Sequence, residues 1–522
     1  MALPIALGIV PFARTLTHDL VWDDHYVVSQ VEDAYARDGV TGVWKAPFLS
    51  DPDVAAVYYR PIVNLSFLAD ARVADRAPWP FHVTNLLLHV VACLLVFGLV
   101  RRIFSDAVAG AAAAALFAVL PVHVESVAFV SARTDLWGAV FGFGSLLAWY
   151  AAGSAVSGFR RVAWLCGSVV LYAAGCLAKE VVVLLPILVM TWSFASSPRS
   201  AARPLDRARR AGLVALCMLP GLAAVLAFRA WAVGGTGAGE GWTPLALAEP
   251  GLAGRGFLWM CRLLAAPWPH NALYTRDQLD VTVTTAIVGL LAAGVHLTPF
   301  RYKGVRVAWL AAPCLLLFLL PVLAVPSDTT VVIAERYLYL PSVGLCILAG
   351  AAFSWGVARR PRETIAVGSA VVVAFAVVSF VRAGVWANDD VLTEDLVRKA
   401  PGAALAWDMR GQVRLKQQRY DEALAAFDRA VTLEPADAAY HNDAGIALRR
   451  LGRPDLAVIA FRRSLELNPD ATGVRLNLAY ACISLRDTAC IEDQRQALAR
   501  QDPSALQDLD SVLRGGQQRL GR

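Results

Sequence analysis

Phe81-His82-Val83-Thr84-Asn85-Leu86-Leu87-Leu88-His89-Val90-Val91-Ala92-Cys93-Leu94-Leu95-Val96-Phe97-Gly98-Leu99-Val100, followed at once by Arg101-Arg102, decides what kind of molecule this is. A run of about 20 predominantly apolar residues is the length of one helical membrane span. The arginine pair is the usual stop on the cytoplasmic side. Three polar residues interrupt the run early: His82, Asn85 and His89, spaced i, i+3 and i+7, so all three fall on one helical face.

Outward from this stretch the same pattern recurs. Apolar runs cover roughly 106–120, 127–150, 162–178, 181–195, 212–233, 281–299, 307–325, 337–358 and 364–383, with a shorter one at 1–13. The 522 residues are 57% hydrophobic and 17% charged, where soluble domains carry about 25% charged residues. Thirteen residues rise only about 20 Å, too little for about 30 Å of hydrocarbon, so the first run reads either as a truncated span or as a helix held by neighbours. Truncation is the favoured reading.

The formal net charge of +6 does not point to nucleic acid, because the arginines gather in short loops between apolar runs. Arg101/Arg102, Arg160/Arg161, Arg199 to Arg210, Arg301/Lys303/Arg306 and Arg359/Arg360/Arg362 form one set. The alternate loops 14–80, 121–126, 179–180, 234–280 and 326–336 are poor in Lys and Arg. The first set is therefore expected in the cytoplasm, with 255–269 a re-entrant or interfacial helix, the crossings numbering about eleven, and the C-terminal region outside. Cys93, Cys166, Cys176, Cys217, Cys261, Cys314 and Cys346 sit in apolar runs without ligand spacing and read as small hydrophobes.

After Arg382 the composition turns charged and helical. Trp407, Gly411, Tyr420, Ala423, Phe427, Ala430 and Pro435 take the consensus places of a tetratricopeptide repeat at 404–437. Gly445, Ala457, Phe461 and Pro469 repeat them at 438–471, and a degenerate third copy covers 472–505. The expected organisation is an all-α chain: a polytopic membrane domain at 1–383 with a first external loop at 14–80, a lead-in at 384–403, repeats at 404–503 and a tail at 506–522. Cys482 and Cys490 fall in the two helices of the third repeat, as a disulfide or as two buried thiols.

The ionisable groups collect on the face opposite the arginine loops. Asp23, Asp24 and Arg60 lie in the first external loop; His82, Asn85 and His89 begin the 82–100 span. His123 and Glu125 occupy the second turn, Arg133 and Asp135 the start of the next span, Lys179 and Glu180 the third turn, Glu335 and Arg336 the last. Charges abutting hydrocarbon are costly, and a converging set of them marks a site. Each also has a plainer reading, as a solvated loop pair, a bundle histidine bonded across helices or a structural ion pair. Cations at a membrane boundary suit a lipid phosphate, and a carboxylate beside them suits a general base. Together they fit group transfer from a lipid phosphate to an acceptor hydroxyl.

These residues resemble the transmembrane-and-tetratricopeptide O-mannosyltransferases, members of the GT-C glycosyltransferase class. The likeness is carried by Val-Trp-Asp-Asp (21–24), Tyr-Arg-Pro (59–61), Phe-His-Val-Thr-Asn-Leu-Leu-Leu-His (81–89) and Leu-Pro-Val-His-Val-Glu-Ser-Val-Ala (120–128). Ala-Arg-Thr-Asp-Leu (132–136), Ala-Lys-Glu (178–180) and Ala-Glu-Arg-Tyr-Leu-Tyr-Leu-Pro-Ser-Val-Gly (334–344) follow in order, then the repeats. The resemblance implies a GT-C-like helical bundle and transfer of a sugar, mannose in the better-known members, from a polyprenyl-phosphate carrier to protein hydroxyls. It places the base at Asp23 or Asp24 and the site on the non-cytoplasmic face.

The expectation is accordingly an inverting, lipid-phosphate-sugar-dependent glycosyltransferase of a bacterial inner membrane, acting in the periplasm. Arg60, Arg133, Lys179 and Arg336 are candidates for the donor phosphate, with His89, His123 and Glu125 shaping the site. The expected partners are the lipid-linked sugar, membrane lipid and an acceptor protein recruited by the repeats, with no nucleic acid, metal or other cofactor. The rival is a non-enzymatic, membrane-anchored repeat scaffold for envelope assembly, although one span would suffice to anchor it. A lipid-linked-sugar transporter would want polar residues spread through the bilayer depth, not gathered at one end.

Overall fold

The computed structural model describes residues 2–49, 58–73, 77–196, 212, 215–233, 248–265, 270–275, 279, 303–319 and 331–520. The apolar run 281–299, the arginines of 199–210, and Arg301 lie outside the described residues. Within them the chain is helical apart from short extended pieces, chiefly β1 (Tyr274–Thr275) antiparallel to β2 (Val331–Ile333). It forms two units, residues 1–389 and 390–522.

The first unit opens with α1 (Ala2–Ile9), continued by a 3₁₀ turn to Thr17, then α2 (Asp23–Lys45) and α3 (Pro61–Val73). Helix α1 lies against α4 (Trp79–Phe104), where the Cβ that Gly8 lacks would stand 3.3 Å from Val90. The α4 helix has 26 residues, about 39 Å at 1.5 Å per residue, enough to cross the hydrocarbon. It stops at Ser105, which takes the left-handed conformation (φ 54°). Asp106 then caps α5 (Ala107–Val119), its carboxylate accepting from the Val108 and Ala109 N–H groups at 2.7 and 3.2 Å.

Proline at 121 cannot continue α5. The chain bends by 56° into the short α6 (Val124–Ala128), then enters α7 (Arg133–Gly153), α8 (Gly158–Cys176), α9 (Leu185–Ser196), α10 (Leu219–Val233), α11 (Pro250–Ala265) and α12 (Lys303–Leu319). The last membrane helices are α13 (Ser342–Val357) and α14 (Pro361–Ala383). Alanine-rich α5 lets α13 approach closely: a Cβ on Gly350 would stand 2.5 Å from the Ala109 carbonyl oxygen. In a bilayer such small-residue contacts let backbones meet and gain packing.

Three helical stretches among the described residues are long and apolar enough to span: 79–104, 130–153 and 361–386, with the bent pair 107–128 a fourth. The outermost, 361–386, turns Val367 and Val373 outward with over 60% of each exposed, as a lipid-facing helix does. The expected count of about eleven crossings rests on the sequence alone, and the end of the run 307–325 lies outside the described residues. The re-entrant or interfacial helix expected at 255–269 is described to Ala265, as part of α11.

The second unit is a stack of helical hairpins. Helix α15 (Asp389–Lys399) begins on the last residue of the first unit, and after it come α16 (Ala404–Lys416) with α17 (Tyr420–Leu433), α18 (Ala438–Arg450) with α19 (Pro454–Leu467), and α20 (Thr472–Leu485) with α21 (Thr488–Gln501), closed by α22 (Pro503–Leu520). The first two hairpins are each closed by a glycine under an aromatic ring: a Cβ at Gly411 would stand 2.5 Å from Phe427, and at Gly445 2.6 Å from Phe461. Asp437 and Asp487 cap the next helices through the N–H groups of Ala439 and Cys490. Cys482 and Cys490 are joined by a disulfide, the first of the two alternatives.

Gly445→Ala is therefore expected to destabilise the second hairpin by about 1–3 kcal/mol through overpacking. Hydrogen exchange of the full-length protein checks it: faster exchange across 438–467 is expected, with 79–104 unchanged.

Candidate functional site

The site forms where helix ends meet: the start of α2, the turns at 58–60 and 179–180, the α5–α7 connection and the 3₁₀ turn Glu335–Leu338. Trp22 leads into it with φ 52° and ψ −121°, a sparsely populated backbone for a bulky residue. Its indole is stacked on Phe129 at 5.6 Å, and Phe129 on Trp386 at 5.1 Å.

The adjacent carboxylates part company here. Asp24 is fully buried and accepts four hydrogen bonds: from Val21 N–H (3.2 Å), Val130 N–H (3.3 Å), Ser131 N–H and Ser131 Oγ (both 2.6 Å). Burial pushes its carboxyl up to about 7, against the downward pull of Ser131 and the backbone donors. Asp23 is half-buried and has no hydrogen-bond partner among the described residues. Burial raises its carboxyl above the ordinary range, while the Arg336 charge pulls it down. Asp24 is built into the frame; Asp23 is left open.

The cations pair in a way the sequence could not assign. Arg60 grips Glu180 with two bonds, at 3.0 and 2.8 Å. Lys179 pairs with Asp135 at 3.1 Å. Arg336 binds Glu125 through both its guanidinium and its backbone N–H, the latter at 3.0 Å. Glu335, expected beside Arg336, turns away to accept from His270 Nδ1 (3.1 Å), Asn271 N–H (3.0 Å) and Tyr274 OH (2.6 Å).

Arg133, expected at the phosphate, is enclosed instead. Its guanidinium is spent on Asn85 Oδ1 (2.7 Å), Ser66 Oγ (3.2 Å), the Phe81 carbonyl (2.8 Å) and the Asp70 carboxylate (2.6 Å). Side-chain exposure then ranks the cations: 24% for Arg336, 13% for Lys179, 8% for Arg60 and 0% for Arg133. Arg336 has most room for a ligand.

The histidines expected to shape the site are struts of the bundle. His89 donates from Nε2 to the Ala118 carbonyl (3.2 Å), so its Nδ1 accepts from Tyr339 OH (2.8 Å). Ser342 Oγ donates its proton to the Tyr339 carbonyl, so the same Ser342 Oγ accepts from His123 Nε2 at 2.8 Å. His82 reaches the Asp19 carbonyl at 3.4 Å, and Asn85 gives its amide to the Val127 and Phe129 carbonyls. All four are buried.

What remains as an open face is Asp23, Lys179, Glu180 and Arg336, with the buried Arg60 paired to Glu180, joined by two tyrosines: Tyr58, which sequence reasoning missed, and Tyr337, which it carried only within the turn at 335–337. Tyr58 lies under Arg60 at 4.4 Å, and Tyr337 lies between Lys179 (5.7 Å) and Arg336 (5.3 Å). Their position within two residues of Arg60 and directly after Arg336 was the available signal, since cations at such boundaries commonly rest on aromatic rings. Asp70, which neutralises Arg133, carried no signal.

Residues 67–227 match the family model of dolichyl-phosphate-mannose-protein mannosyltransferases, and 394–438 with 409–472 match a tetratricopeptide-repeat model. The protein O-mannosyl-transferase Tmtc2 of Drosophila melanogaster is 34% identical over 25% of this chain and 14% of its own length. Human TMTC4 is 24% identical over 76% of this chain and 61% of its own. This chain thus spans less than two thirds of the length of these relatives. The oligosaccharyltransferase of Archaeoglobus fulgidus has a related shape at a TM-score of 0.43, with 13% identity over 74% of this chain and 52% of that one. The similarity to the transmembrane-and-tetratricopeptide O-mannosyltransferases thus has support in both parts of the chain, and the protein is an integral membrane protein.

Asp24→Asn is expected to lower the thermal stability of the detergent-solubilised protein, since its amide would aim donors at donors. Leaving buried bonds unmade costs about 1–3 kcal/mol. Asp23→Asn is expected to melt with the parent, because it breaks no bond of the frame.

Proposed function

We propose that this chain is a membrane glycosyltransferase that moves a sugar, mannose in the first instance, from a polyprenyl-phosphate carrier to hydroxyl groups of an acceptor protein. Asp23 is its general base. The observation that carries the proposal is Asp23 itself: a half-buried carboxylate with no hydrogen-bond partner among the described residues, under the influence of the most exposed cation of the cluster, Arg336.

The chemistry follows from that pair. An acceptor hydroxyl gives its proton to Asp23, whose carboxyl burial raises above the ordinary range and so makes a more willing proton acceptor. The freed oxygen forms a bond to the anomeric carbon from the face opposite the phosphate, so configuration inverts. The bond between that carbon and the phosphate oxygen breaks, and its electron pair leaves with the polyprenyl phosphate. Arg336 stabilises the charge that grows on the departing phosphate; Glu125 occupies only part of its five-donor fork. Lys179 and Arg60 add positive potential from beside it, each tempered by its own carboxylate.

Three further observations support the reading. The matched membrane family is described as acting with dolichyl-phosphate mannose on protein. The charge of the arginine-rich loops supports reading their own side as cytoplasmic and the reaction as taking place outside, in the periplasm of a bacterial inner membrane. The Cys482–Cys490 disulfide suits repeats in an oxidising compartment, where their stacked faces would recruit the acceptor.

With polyprenyl-phosphate mannose as donor in solubilised membranes, Asp23→Asn is expected to lower sugar transfer by about 10²–10⁴-fold. Arg336→Gln is expected to raise the KM for the lipid donor and lower kcat. Parental turnover in Asp23→Asn would sink the assignment of the base.

A further inference from the structure

We infer that Asp389 is a positioning residue for Asp23, a role that rests on reading Asp23 as the base. Its carboxylate holds both ends of the short segment that carries the paired acids. Oδ1 accepts from the backbone N–H of Trp22 at 2.9 Å, and Oδ2 meets His25 Nε2 at 3.0 Å. Residues 22 and 25 bracket Asp23 and Asp24, so one side chain grips the helix turn on either side of the base.

The grip is needed where it falls. Trp22 has a backbone conformation (φ 52°) that a bulky residue leaves unless its surroundings hold it there. Its N–H precedes the first turn of α2, where no earlier helical carbonyl can accept it. Three contacts from residues 386–389 converge on the segment. Trp386 closes the Trp22–Phe129 stack, the Ala387 carbonyl accepts from Asp19 N–H at 2.9 Å, and Asp389 takes the Trp22 N–H. Of these, the Asp389 bonds act directly on the turn that sets the direction of the Asp23 side chain. Without them the Trp22 backbone relaxes toward an ordinary φ, and the carboxylate swings away from the place where it meets an acceptor hydroxyl.

The second point of the grip is a histidine with 45% of its side chain exposed. An exposed pair of this kind adds little by charge alone. Its value is directional: it fixes which way the Asp389 carboxylate faces, so that the other oxygen stays in line with the Trp22 N–H. Asp389→Asn keeps an oxygen for that N–H, while Asp389→Ala removes both acceptors.

The test compares the full-length chain carrying Asp389→Ala, Asp389→Asn or Asp23→Asn, purified in detergent, by hydrogen exchange and by sugar transfer from polyprenyl-phosphate mannose. Asp389→Ala is expected to speed exchange at 22–26 and to lower kcat by about 10- to 100-fold, the scale of a misplaced reacting group, with the KM for the lipid donor little changed. Asp389→Asn is expected to restore most of both. Asp389→Ala with parental exchange at 22–26, or with parental kcat while Asp23→Asn is inactive, overturns the positioning role and leaves the base standing. Asp389→Asn as impaired as Asp389→Ala overturns the hydrogen-bond account. Asp23→Asn at parental turnover overturns the base itself, and this inference with it.

Discussion

Four donors aimed at one buried carboxylate hold the site in place. Asp24 takes Val21, Val130 and two groups of Ser131, tying the start of α2 to the turn before α7. Two residues on, Arg133 ties α7 to α3 and α4 through Ser66, Asp70 and Asn85. A polar thread thus runs through four elements otherwise joined by apolar packing. In low dielectric each bond in such a thread is stronger than in water, and each partner left unpaired is correspondingly expensive. Small displacements of one helix end are therefore resisted by all the others.

The same cost explains the pairing of the cations. A guanidinium or ammonium moved out of water loses several kcal/mol of solvation, which a partner carboxylate with good geometry can return. Arg60, Lys179 and Arg336 each have such a partner, supplied by another part of the chain. Pairing and ligand binding are compatible only where the cation keeps unused donors facing an opening. Arg133 has none to spare, being wholly buried. Arg336 does, because Glu125 is buried behind it while the guanidinium keeps about a quarter of its surface in the open.

Much of the helical architecture was legible because it repeats. Apolar runs of span length, arginines in alternate loops and two glycine–aromatic pairs in register at Gly411/Phe427 and Gly445/Phe461 are local patterns. The charged and polar residues of this region were legible as a set because charge beside hydrocarbon is conspicuous wherever it falls, although His82, Asn85, His89, His123, Arg133 and Glu335 of that set are spent on structural partners. Their pairing was not. Arg336 finds Glu125 across 211 positions and His270 finds Glu335 across 65, and nothing near either residue names its partner. The alternatives left open at Asp23/Asp24 and at Cys482/Cys490 were of this kind as well. Both turn on which way a side chain points, a property of the folded turn and not of its composition.

Two adjacent acids on a helix cannot do the same work. Successive side chains diverge by about 100° around the axis, so if one points into the frame its neighbour points out of it. At the start of α2 the inward acid, Asp24, finds Ser131 waiting, and the outward acid, Asp23, comes under the charge of Arg336. The strained Trp22 before them sets the angle at which this divergence is presented. Its backbone persists because the ring is stacked on Phe129 and its N–H is held by Asp389. Burial keeps Asp23 receptive to a proton, and the absence of a bond among the described residues keeps it available to one. On the proposed reading Asp23 is free to act as the base because its neighbour Asp24 has taken on the structural duty.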